Sequence, residues 1–118
     1  MTTPLSGTDN ELEARNHIAA VSVEFAKLKT KARDRGALAL ADRARAYNDG
    51  AKPNAANAWG RATIYADLAA IYRTFGREGV AMECAQKSEH LWSDMKVPSA
   101  LEAQRERELA AVRARFIE

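Results

Sequence analysis

Residues 64–92 leave few folds open. Ile64, Leu68, Ile71 and Phe75 follow one another at steps of four, three and four, and beside them run Ala58, Ala62, Tyr65, Ala69 and Tyr72. Such steps line one face of an α-helix and no face of a strand. Two adjacent stripes predict burial on two sides, and so a central helix at about 55–75. Gly76 and Gly79 then interrupt the pattern. Beyond them Ala81, Cys84, Ala85, Ser88, Leu91, Trp92 and Met95 share one side of a further helix, about 78–95. A bulky face, a small face and a glycine break predict two helices that turn back on each other. Small side chains let their backbones approach closely.

The rest of the chain reads the same way. Ala14, Ile18, Val21, Phe25, Leu28 and Ala32 alternate at steps of four and three. They predict a long amphipathic helix at roughly 9–34, with this stripe as its buried side. Thr8 and Glu11 have capping-box spacing ahead of it, and residues 1–7 read as a mobile tail. Gly36 is expected to end that helix. Ala37, Leu40, Ala41, Ala44 and Tyr47 make a second stripe, closed by the loop signal NDGAKPN. Asn54 is placed to cap the third helix. KVP stops the fourth, and Ser99 with Glu102 reads as a capping box for a fifth. That last helix has a thin stripe of Leu101, Leu109, Val112 and Phe116 among many Arg and Glu. No segment alternates with period two for long enough to make a strand. The expected fold is all-α, about five helices in a single domain over 8–118.

Composition narrows the function classes. A chain of 118 residues suits one domain with a single core. The formal net charge of +2 is too small to imply a nucleic-acid partner by itself. Cys84 is the one cysteine, which excludes an intrachain disulfide and favours a reducing, cytoplasmic setting. The first 15 residues have neither the basic nor the apolar region of a secretory signal. No apolar run approaches the roughly 18 residues of a membrane span.

Sliding the chain along itself by 40 residues puts Phe25 on Tyr65, Ala26 on Ala66, Leu28 on Leu68, Arg33 on Arg73, Gly36 on Gly76 and Ala41 on Ala81. The matches fall where helices would pack, as a duplicated helical hairpin requires. Over residues 62–92, Tyr65, Leu68, Ala69, Tyr72, Gly76, Ala81 and Ala85 stand at the spacings of a tetratricopeptide repeat (TPR) hairpin, which this stretch resembles. Ser88 stands where that family usually has Ala. In residues 22–48, Lys29 and Ala32 replace the family's small residue and Tyr. The resemblance implies two antiparallel helical hairpins with a polar C-terminal capping helix. It also implies a concave face built from the first helix of each pair. The family's groove positions would be Thr63, Ala66, Asp67, Ala70, Arg73 and Thr74, with Val23, Ala26, Lys27, Thr30, Arg33 and Asp34 in the earlier hairpin. Lys27, Thr30, Arg33, Asp67, Ala70, Arg73 and Thr74 are the expected partner-binding residues. Lys27, Arg33 and Arg73 would offer cations to an acidic segment.

The run KLKTKARDR holds Lys27, Lys29, Lys31, Arg33 and Arg35. Cations near a helix C-terminus are favourable anyway, so a solvated helix end accounts for them. A basic patch for phosphate or an acidic peptide is the functional alternative. No aromatic is interleaved for base stacking, which disfavours single-stranded nucleic acid. His17 and His90 lack same-face companions at metal-ligand spacing. Cys84, among small apolar residues, reads as a buried structural thiol. Trp59 and Trp92 read as packing residues, with a partner anchor as the alternative.

No nucleophile, general base or general acid is marked out, and no cofactor or metal is expected. The expected function is a small non-enzymatic interaction module that takes a partner peptide or helix in the concave groove. A self-associating bundle, with the first helices forming a homodimer, is the main alternative. Binding of an anionic surface through Lys27–Arg35 is the weaker one.

Overall fold

A computed structural model of the protein describes residues 9–118. It contains five α-helices: α1 (Asp9–Lys31), α2 (Gly36–Gly50), α3 (Ala58–Thr74), α4 (Glu78–Asp94) and α5 (Ser99–Val112). A π-helical turn, Arg113–Ile117, follows α5 directly. No strand occurs among the described residues, so the fold is all-α as the spacing predicts. The tail expected over residues 1–7 and Thr8, the first residue of the expected capping box, lie outside the described residues.

The helices pair as α1 with α2 and α3 with α4. α3 also packs against both helices of the first hairpin, which makes it the central helix its two stripes require. Leu68, Ala69, Ile71 and Tyr72 are buried accordingly. α5 and the terminal turn lean on α4. There Val112, Ala62 and Trp92 form a second apolar cluster. Trp92 is fully buried and meets Trp59 edge-on, ring centroids 4.8 Å apart.

Alanine sets the geometry of the first hairpin. Ala37, Ala41 and Ala44 of α2 and Ala19 and Ala26 of α1 are completely buried. Facing alanines bring two helix axes to the short end of the usual 8–10 Å range. In the second hairpin Ala69, Ala81, Cys84 and Ala85 serve in the same way. Ser88 stands buried among them, and its hydroxyl donates to the Ala62 carbonyl at 2.8 Å. A serine fits at an alanine position here because its hydroxyl finds a partner.

Both hairpins turn through the same device, at Arg33 and Gly76, which do not coincide under the expected 40-residue shift. After α3, Gly76 takes φ +76°. Its N–H donates to the Arg73 carbonyl, and the Arg77 N–H reaches back to Tyr72. That is a Schellman closure on a glycine. After α1 the left-handed residue is Arg33, φ 57°, with the same bonds from Arg33 to Thr30 and from Asp34 to Lys29. Gly36, expected to end the first helix, instead opens α2. The Asp34 carboxylate accepts from the Gly36 N–H at 2.8 Å. α1 therefore stops at Lys31, short of the expected 34.

Two cap assignments are also corrected. α3 begins at Ala58, with Asn57 rather than Asn54 in front of it. Asn54 and Asn57 clasp each other instead, each side-chain oxygen accepting the other's backbone N–H. Ser99 does not cap α5, because Pro98 holds the position before the helix and no side chain caps it. Glu102 turns to Arg105.

Candidate functional site: the outer face of α1 and the α1–α3 seam

α1 carries two faces, and the core takes the smaller one. Ala19, Ser22, Val23 and Ala26 point inward. Successive residues lie about 100° apart around a helix, so these four are centred about 130° away from the Ala14, Ile18, Val21, Phe25, Leu28, Ala32 stripe. That stripe, expected to be buried, faces outward. Val21 is 40% exposed, Phe25 54% and Leu28 63%. Ile18 is half-buried, and Ala14 and Ala32 are exposed. The reason is the alanine face of α2. Ala37, Ala41 and Ala44 leave room at the interface for another small face and none for a phenylalanine.

The outward stripe has the spacing of a helix-pairing seam. Ile18 and Phe25 are seven residues apart, as are Val21 and Leu28, with a three-residue step from Ile18 to Val21 and from Phe25 to Leu28. Glu24 borders it on one side. On the other, Ile18, Val21, Phe25, Leu40 and Arg43 line a surface hollow of about 450 Å³ between α1 and α2. Exposed large apolar side chains in a continuous row mark interaction surfaces more often than bare solvent contact.

At the α1–α3 seam, the structure joins two of the sequence-expected site residues. Lys27 of α1 reaches Asp67 of α3 at 3.5 Å and Glu24 at 3.2 Å. Burial works against the Lys27 charge, but Asp67 and Glu24 outweigh it and hold the ammonium above the usual lysine range. Burial raises the Asp67 carboxyl, against the pull of Lys27. The other expected residues are engaged locally. The Thr30 hydroxyl donates to Ala26 and that of Thr74 to Ala70, each one turn back along its own helix. Ala70 is half-buried beside them. Arg73 donates to the Arg115 carbonyl at 2.6 Å and lies over the Phe116 ring. Arg33 is exposed in the α1–α2 turn. The terminal turn thus occupies the Arg73 guanidinium, a contact that spacing within a hairpin does not reveal.

In the basic run, Lys27 pairs as described, Lys29 pairs with Asp34 at 3.1 Å, and Arg35 lies over Phe75. Cys84 is buried, and burial pushes its thiol up to about 11, so it stays protonated and poorly nucleophilic at neutral pH. Among the described residues, no three His, Cys, Asp or Glu side chains are grouped to hold a metal. Nor is any described helix long and apolar enough to cross a membrane. No family model, no curated protein and no solved structure matches this chain.

Proposed function

We propose that this protein is a small, non-enzymatic helical interaction module of TPR-like kind, which takes a helix of a protein partner along the outer face of α1. One observation carries the reading. Val21, Phe25 and Leu28, large and at helix-pairing spacing, lie on the side of α1 that the fold leaves uncovered. Exposing such a row costs a free chain about 25 cal/mol for each Å² of apolar surface that a partner would shield. An amphipathic helix laid into this face recovers that term, with the Leu40–Arg43 hollow receiving its larger side chains. Glu24 and Lys27 at the edge add charge selection, and the seam residues Thr30, Asp67, Ala70, Arg73 and Thr74 continue the surface towards α3. A cytoplasmic adaptor suits the single, protonated Cys84.

A second copy of the chain is the second reading, favoured by the seven-residue repeat of the stripe. Both are tested with Phe25→Asp and Leu28→Asp, which touch no core contact. Wild type should hold a partner in affinity capture, or run at twice its mass in light scattering. The variants, with unchanged helicity, should lose whichever behaviour wild type shows. Equal capture and equal mass in wild type and variants would overturn the reading.

A further inference from the structure

Away from the outer stripe of α1, an open hollow of about 430 Å³ lies between the end of α2, the first turns of α3 and the second half of α4. Asp49, Arg61, Tyr65, Lys87, His90 and Leu91 line it. Such a volume falls within the range of small-ligand pockets. Arg61 is its unusual member. Only 9% of the residue is exposed, and its Nε is buried without a hydrogen-bond partner. Among the described residues, no carboxylate forms an ion pair with its guanidinium. A buried Nε–H with no partner among the described residues is costly, and native proteins satisfy such a group with protein, water or a ligand.

The nearest acid is already engaged. Asp49 Oδ1 accepts from Lys87 Nζ at 3.1 Å and from the Tyr65 hydroxyl. Lys87 also stands over the Tyr65 ring, 5.4 Å from its centroid. The lining therefore carries two cations, Arg61 and Lys87, against one carboxylate. The His90 imidazole is a further hydrogen-bonding group, while the Tyr65 hydroxyl is already given to Asp49. Planar guanidinium geometry suits two oxygens of one oxyanion, and a lysine beside it supplies a point charge.

We propose that this cavity is an oxyanion-binding site, for a phosphate or carboxylate group, with Arg61 as its anchor and Lys87 as its second cation. Asp49 opposes the ligand and so limits its affinity. The site lies on different elements from the α1 stripe and does not depend on the proposed function.

The test is a titration of the full-length protein with inorganic phosphate at constant ionic strength, following the Arg61 Nε–H resonance. Saturable movement of that resonance is the expected result, with no matching movement under chloride. Arg61→Gln, which lacks that resonance and is read by calorimetry beside wild type, should weaken binding about tenfold or more. Asp49→Asn, which removes the opposing charge, should tighten it. Lys87→Gln, at an exposed position, gives a second reading if Arg61→Gln disturbs folding, and should also weaken binding. An Arg61 resonance that ignores phosphate, or one that moves equally in Lys87→Gln and wild type, would overturn the site. Movement in Asp49→Asn without any phosphate response would assign Arg61 to Asp49 and overturn it too.

Discussion

Tyr72 donates its hydroxyl hydrogen to Asp42 at 2.6 Å, and one heptad away Tyr65 does the same to Asp49. The tyrosines are seven residues apart on α3 and the aspartates seven apart on α2. An antiparallel pair in one fixed register satisfies both bonds, and a slip of one residue breaks both. Each tyrosine ring fills the core while its hydroxyl reaches the edge, where the aspartate is exposed.

These bonds make the fold sensitive to alkali. Burial, and then the neighbouring aspartate, raise both tyrosines above their ordinary value of 10.0. Burial raises Cys84 from 9.0 to about 11. The unfolded chain therefore releases protons at lower pH than the folded one. Stability is fully present below pH 9 and falls as pH rises through 9 to 11. Urea midpoints at pH 7, 9 and 10.5 should decline in that order. Tyr65→Phe with Tyr72→Phe should flatten the decline while lowering the pH 7 stability by about 1–3 kcal/mol.

The two faces of α1 should respond oppositely to substitution. Phe25→Asp on the outer face should change stability by no more than about 0.5 kcal/mol. Ala26→Leu, its neighbour, forces bulk into the closest helix contact and should cost about 1–3 kcal/mol. Thermal or urea unfolding of the pair measures the difference.

The two hairpin turns give a second opposed pair. Arg33 holds a left-handed conformation that costs an ordinary side chain about 1–2 kcal/mol, so Arg33→Gly should raise stability by about 1 kcal/mol. Gly76→Ala should lower it by a similar amount. Open space surrounds the added methyl, so the loss comes from the backbone alone.

Helix number, the turn at Gly76 and the central place of α3 were all legible in the sequence, because each follows from local spacing. The facing of α1 was not. Periodicity says that Ile18, Val21, Phe25 and Leu28 share a side, but not which side meets the core. That choice lies in the alanine face of α2, a partner surface whose bulk only the packed pair reveals. Asn57 replacing Asn54 and Pro98 displacing Ser99 are local competitions that spacing rules do not rank. The Asp42–Tyr72 and Asp49–Tyr65 bonds left a signal, the matching seven-residue intervals, which means something only once α2 and α3 are known to be antiparallel. Arg61 left none, since an arginine in the first turn of a helix ordinarily reaches water.

The most direct test of the binding face is hydroxyl-radical footprinting of the chain, free as a monomer and bound in its captured complex or dimer. Phe25 and Leu28 should be labelled strongly in the free monomer, with Trp92 protected, and should lose their label on binding. Unchanged labelling of Phe25 and Leu28 in the bound state would contradict the account.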